Sequence, residues 1–161
     1  MSGLQCTFAL NGKATSIFNC PGFGAVAAFS GQKSGRDNPA ATAIASIGPL
    51  PRGRYYLVDR QSGGVLGFLY DLWSKYGVGT TDHTKWFMLW NPASGDSTFV
   101  NGVWRGSFRL HPMGRMKLSE GCITVVDPAT FNRLADFLRA QKPGIPVPGS
   151  PLKAYATVVV Q

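Results

Sequence analysis

Residues 127–144, DPATFNRLADFLRAQKPG, carry the one firm helical signal in the chain, and that scarcity constrains the fold more than any other feature. Asp127 is placed to cap the free N–H groups of a first turn, and Pro128 suits the first helical position. Phe131, Leu134, Ala135 and Leu138 recur at i, i+3, i+4 and i+7, which gives one apolar face. Pro143-Gly144 stops the run. Elsewhere 20 glycines and 11 prolines cut the apolar stretches to lengths that suit strands. A chain of 161 residues with 44% hydrophobic residues is long enough to bury a sizeable core. These features predict a single domain over 1–161, mainly β (β-dominated α+β).

The strand signals can be placed. TFALNGKATSIFN, flanked by Cys6 and Cys20, reads as two extended runs joined at Asn11-Gly12, a strong hairpin signal. FGAVAAFSG, Tyr55 to Val58, KWFMLWNP, STFVNGVW, GSFRLHP and KAYATVVV read as further strands, with STFVNGVW broken at Asn101-Gly102. Residues 31–46 read as a surface loop. In 61–82, Phe68, Leu69, Leu72 and Tyr76 recur at roughly helical spacing, so a short helix or lid and a plain long loop both remain open. A hairpin would bring Cys6 and Cys20 within bridging distance, but two buried thiols are the expectation for a chain made in a reducing compartment. Cys122 is then the odd thiol.

Sixteen Lys and Arg against eight Asp and Glu give a net charge of +8, which suits an anionic partner such as a bacterial envelope. The cations are scattered and no nucleic-acid motif is present, so a nucleic-acid partner is not expected. The N-terminus lacks a basic region followed by an apolar core, so no signal peptide is expected, and synthesis in the cytoplasm with transport by other means is. No Cys-x-x-Cys or His-x-x-x-His spacing occurs, so neither a metal site nor a cofactor is expected.

The chemistry concentrates at RLHPMGRMKLSEGCITVVD, residues 109–127. FRLH reads as a strand ending at His111, where Pro112 breaks the ladder; CITVV reads as a strand starting at Cys122. The loop between them lets the two strands lie side by side and brings imidazole and thiol to the same sheet end. A thiol with a pKa near ~8.5 needs such a base to act as a nucleophile at neutral pH. Gly121 leaves the Cys122 N–H open to an oxyanion, and Ser119 suits orienting the loop or binding substrate. From residue types alone, a nucleophile with its base and a hairpin with a packed Cys122 are equally good readings. His83, beside Asp82, is a second candidate base, although an ordinary loop histidine is the better reading. Arg109 alternates with His111 on one strand face, so it is expected to line the site. Trp73, Trp86, Trp90 and Trp104 could stack on sugar rings or wall a peptide cleft, although core filling is the better reading for two or three of them.

HPMGRMKLSEGCITVVDPATFNRLADFL resembles the active-site signature of the L,D-transpeptidase (YkuD-type) catalytic domain, in which a histidine precedes a Ser-His-Gly-Cys-Ile core, an acidic residue and a helix. Here the core is Ser119-Glu120-Gly121-Cys122-Ile123. GPLPRGRYYL is similar to that family's Pro-x-Gly element, and RGSFRLHP with SEGCIT is most similar to the type VI secretion effectors that carry this domain as antibacterial toxins. Glu120 stands where the family usually has a second histidine, and Thr124 where many members have arginine. The resemblance implies a β-sandwich with the helix after the nucleophile. It also implies Cys122 as nucleophile, His111 as base, and Gly121 and Ser119 in the catalytic site. Where the sequence departs from the family, Arg109 and Glu120 are expected against the substrate, with Arg109 or Arg115 supplying the positive charge of the missing arginine; for Arg115 a solvated surface side chain is the better reading. The implied substrates are peptidoglycan stem peptides, from which the terminal D-alanine is removed, or exchanged with D-amino acid acceptors. The implied setting is the target cell's periplasm, reached through a secretion apparatus, with a periplasmic immunity protein as partner. Two alternatives are an inactive peptidoglycan-binding module and a papain-like cysteine amidase. Papain-like enzymes place cysteine before histidine and at a helix start, unlike the order here.

Overall fold

The structure is a computed structural model that describes residues 3–59, 86–114 and 121–161. Residues 61–82, expected as a lid or loop, lie outside the described residues with Trp73, Asp82, His83, Arg115, Ser119 and Glu120.

The chain begins with the expected hairpin. Strands β1 (Gln5–Phe8) and β2 (Ser16–Cys20) pair antiparallel around a turn in which Gly12 has φ +70°. Side chains alternate, so Ser16, Phe18 and Cys20 point inward while Ile17 and Asn19 point out. The register Thr7↔Asn19 sets Cys6 opposite Cys20 on the inward face, and the two form a disulfide with Cα atoms 4.4 Å apart. The expectation of two thiols is therefore corrected. A directly opposed pair on adjacent strands already has the separation that a bridge needs.

The remaining strands are β3 (Gly24–Phe29), β4 (Gly53–Asp59), β5 (Phe87–Trp90), β6 (Ser97–Val100), β7 (Val103–Gly106), β8 (Arg109–Pro112) and β9 (Ile123–Val125). Helix α1 (Pro128–Ala140) follows, then β10 (Ile145–Pro146), β11 (Lys153–Ala154) and β12 (Ala156–Val160). The mainly β class is as expected. Eight strands close on themselves in the order β1, β12, β4, β5, β8, β9, β3, β2. A sandwich was expected; the ladder instead continues round the sheet, because β1 pairs with β2 on one side and in parallel with β12 on the other. Local patterning does not report that last, long-range pairing.

Phe8, Phe18, Leu57, Leu89, Leu110 and Val158 belong to the main core, and the apolar face of α1 joins it through Phe131, Leu134, Ala135 and Leu138. Asp127 caps α1 as expected, its carboxylate accepting from the N–H groups of Ala129 and Thr130. A smaller cluster on the other side of β4 and β5 joins Tyr56, Val58 and Met88 to Val147 and Ala154. At the end of α1, Arg139 pairs with Asp59, whose carboxylate also accepts from the Tyr155 hydroxyl at 2.6 Å. Among the described residues no helix is long and apolar enough to cross a membrane.

Asp37 ties the loop after β3 to the barrel. Its carboxylate accepts from Ser30 N–H at 2.8 Å, its own N–H donates to the Ser30 carbonyl at 2.7 Å, and its carbonyl accepts from Gly12 N–H at 2.6 Å. Burial pushes its carboxyl from an ordinary value near 3.8 up to about 6, against the opposing pull of the Ser30 N–H and of Arg36. The folded state therefore holds this proton more tightly than the unfolded chain does, and the group's stabilisation is complete below pH ~4 and fades as pH rises through about 6.

Two outcomes are expected. Asp37→Asn keeps an acceptor for Ser30 and suits the φ of +52° at this position, so it should abolish the fall in stability between pH 4 and 6.5 and leave the variant on the order of 1 kcal/mol more stable than wild type at pH 7. Urea titrations across that range check this, and an unchanged slope refutes it. Reducing the Cys6–Cys20 bridge, which spans 14 positions, should cost roughly 3 kcal/mol. Urea midpoints with and without reductant test the cost. Alkylation of the unreduced, denatured chain should label Cys122 alone.

Candidate active site

Strands β8 and β9 run parallel, with Leu110 opposite Ile123 and His111 opposite Thr124. Leu110, Ile123 and Val125 point into the main core. Alternation therefore turns Arg109, His111, Cys122 and Thr124 to the outer face of the barrel wall, where all four are still buried. Pro112 ends β8 inside the ladder and not before it: it pairs with Val125, one position beyond the expected stop. With strands about 4.8 Å apart and two residues of offset along them, the Cα atoms of Cys122 and His111 are about 8 Å apart, a gap that two inclined side chains can bridge.

The imidazole is fixed in one orientation. His111 Nδ1 lies 2.7 Å from the Pro112 carbonyl oxygen. A carbonyl only accepts, so Nδ1 carries the proton and the neutral ring keeps its lone pair on Nε2. Nε2 faces the Thr124 hydroxyl at 3.5 Å, on the face that also bears Cys122. Trp86 stacks on the imidazole with ring centroids 4.6 Å apart and planes inclined by 22°. Trp86 fills the core, as expected for two or three of the tryptophans, and its ring there also forms a wall of the histidine's slot.

The thiol sits where backbone geometry is unusual on both sides. Cys122 Sγ points at the Ser107 carbonyl oxygen, 3.8 Å away. Ser107 adopts φ +67°, a left-handed conformation held by its N–H donating to the Asp96 carbonyl at 2.9 Å. Gly121 has φ +110°, and a Cβ there would come 2.4 Å from the Phe108 ring and 2.7 Å from Arg105 Nη2. Glycine is required here by close packing as well as by backbone conformation.

Two buried arginines frame the site. Arg105 points inward from β7 and donates to the carbonyls of Thr42 (2.7 Å), Pro49 (2.6 Å) and Gly48 (2.9 Å), clamping the 42–49 loop to the β6–β7 hairpin. Arg109 shares the face of His111, as its alternation with His111 predicts, and its guanidinium forms a two-pronged pair with Asp96 at 2.6 and 3.0 Å. Sequence reasoning missed Arg105, Ser107, Phe108 and Asp96. Arg105, Ser107 and Phe108 left a trace only through the RGSFRLHP segment, and Asp96 left none. Among the described residues no three His, Cys, Asp or Glu side chains gather as a metal site requires.

The arrangement can deliver a thiol and an oriented neutral imidazole to one face, with a turn of fixed backbone beside the thiol. Gly121→Ala should force the Phe108 ring and Arg105 aside and should cost about 2–4 kcal/mol. Thermal unfolding checks this, and a melting point within a degree of wild type would refute the packing argument.

A family model described as the Tlde1 domain matches residues 24–150. No curated protein and no solved structure matches the chain. The matched span runs from the start of β3 to beyond β10 and contains His111, Gly121, Cys122 and α1. With most of its length so matched, the chain belongs to the Tlde1 domain family of type VI secretion effectors.

Proposed function

We propose that this chain is a cysteine acyltransferase that acts on peptidoglycan tetrapeptide stems, removing or exchanging the terminal D-alanine at the L,D bond. The observation that carries the reading is the fixed tautomer of His111. Its Nδ1–H is taken by the Pro112 carbonyl, so Nε2 is a lone-pair acceptor on the face it shares with Cys122.

The steps follow from that arrangement. Nε2 takes the thiol proton as Cys122 Sγ bonds to the carbonyl carbon of the third stem residue. The carbonyl oxygen gains the negative charge, and backbone N–H groups around Gly121 and Cys122 stabilise it. The C–N bond to D-alanine then breaks as imidazolium Nε2 returns the proton to the leaving amine. Water, a free D-amino acid or a second stem amine attacks the thioester, passes a proton to His111, and releases Sγ. The Thr124 hydroxyl, 3.5 Å from Nε2, helps hold the imidazole in that orientation. Ser119 and Glu120, just before Gly121, supply polar contacts to the stem, while Arg109, buried and paired with Asp96, contributes positive charge beside the face that bears His111 and Cys122. The proposed setting is a target cell's periplasm, with an immunity protein protecting the producer.

The test is turnover of purified muropeptides, read by mass spectrometry. Wild type should release D-alanine, Cys122→Ala should retain no turnover, and His111→Ala should lose about 10²–10⁴-fold. Release that persists in Cys122→Ala sinks the mechanism. If His83→Ala loses turnover and His111→Ala keeps it, the base is misassigned. A carbapenem adduct on Cys122 in intact mass separates an enzyme from an inactive wall-binding module.

A further inference from the structure

The β6–β7 hairpin stands outside the barrel and displays two large aromatic side chains. Cross-strand alternation points Thr98 and Arg105 inward, where both are buried, and turns their neighbours Phe99 and Trp104 outward. Phe99 is 57% exposed and Trp104 63% exposed, with ring centroids 5.0 Å apart. Beside Trp104, a cavity of about 200 Å³ is lined by Ala45, Ser46, Trp104, Arg105 and Gly106. Its two walls, the 42–49 loop and β7, are fixed to one another by the three carbonyl contacts of Arg105. A pairing role for the two rings would explain their mutual contact. It does not explain a preformed cavity at the edge of one of them.

We propose that Trp104 and this cavity bind an N-acetylated pyranose of the glycan strand, the sugar end of the substrate whose stem reaches Cys122. The inference rests on the acyl-transfer reading for the placement of the stem. Three observations favour a saccharide ring. A pyranose has an apolar C–H face that suits the flat indole, and a hydroxyl and amide rim that suits Ser46 and the adjoining backbone. The surface is two rings and one small cavity, far below the roughly 800 Å² per partner of a stable protein interface. The spans also agree. From Trp104 to Ser107, whose carbonyl meets the Cys122 thiol, is three residues, at most about 11 Å of chain. A stem running from its sugar through the lactyl linker to the carbonyl of its third residue covers at least three residues, long enough to bridge that distance. One ligand laid along the β7 to β8 edge would therefore place sugar on indole and scissile carbonyl on thiol together.

Two measurements test this. In the first, Cys122→Ala protein, with and without Trp104→Ala, is titrated with the trimer of N-acetylglucosamine and followed by NMR. Saturable binding that Trp104→Ala removes is expected. No binding, or binding that Trp104→Ala leaves intact, overturns the proposal. In the second, a disaccharide-tetrapeptide and the free tetrapeptide are compared as substrates. Trp104→Ala should raise KM tenfold or more for the disaccharide-tetrapeptide with kcat within twofold, should leave KM for the free tetrapeptide unchanged, and should be partly rescued by Trp104→Phe. An equal effect on both substrates, or no effect on either, overturns it. If wild type processes neither substrate, the acyl-transfer reading fails and the sugar titration alone decides. Concentration-dependent self-association that Trp104→Ala abolishes, without sugar binding, would assign the patch to a protein contact instead.

Discussion

The parallel pairing of β8 with β9 is the constraint on which the rest of this site depends. Most neighbouring strands in the barrel run antiparallel, and an antiparallel hairpin would have put the end of β8 beside the start of β9. Parallel pairing instead sets Cys122 level with the beginning of β8, next to Ser107, and leaves His111 further along the same face. The thiol therefore meets the base of the β6–β7 hairpin, and the hairpin becomes a neighbour of the site. Gly121 and Ser107, both left-handed, let two backbone segments approach at that point.

Local signals carried much of this architecture. Asn11-Gly12 and Asn101-Gly102 marked two turns that the structure contains, and Asp127-Pro128 marked the start of α1. The alternation of Arg109 with His111 correctly assigned them to one strand face. The undetected features share a cause: each joins residues far apart in sequence or lies in a segment too short for periodicity to register. Strands β10 and β11 have two residues each. Closure through β1 and β12, the Arg105 clamp on the 42–49 loop and the Arg109–Asp96 pair all depend on tertiary placement. The disulfide differs in kind: the hairpin register alone places Cys6 opposite Cys20, whatever the redox state of the compartment in which the chain is made.

Part of the net charge of +8 is carried by arginines that are engaged within the fold. Arg105 is committed to backbone carbonyls and Arg109 to Asp96, while Arg36 lies 3.7 Å above the Phe29 ring and Arg139 is shared between Asp59 and the Phe87 ring. These guanidiniums hold loops and helix ends to the barrel. The pairs with Asp96 and Asp59 are already netted into +8, and carbonyl or ring contacts leave a guanidinium's charge in place, so these arginines still contribute to long-range attraction while being held from direct contact with an anionic partner.

The strands that seal the barrel lie outside the span that defines the family. Residues 24–150 contain β3, β4, β5, β8 and β9, whereas β1, β2 and β12 fall before or after. Without those three strands the remaining five form an open sheet with β4 and β3 as bare edges, each presenting unpaired N–H and C=O groups to any passing chain. The N-terminal hairpin, locked by its disulfide, and the C-terminal strand thus act as a covering for an otherwise adhesive sheet. A fragment cut to the family boundaries would keep its His111 and Cys122 and lose the strands that cover its two sheet edges.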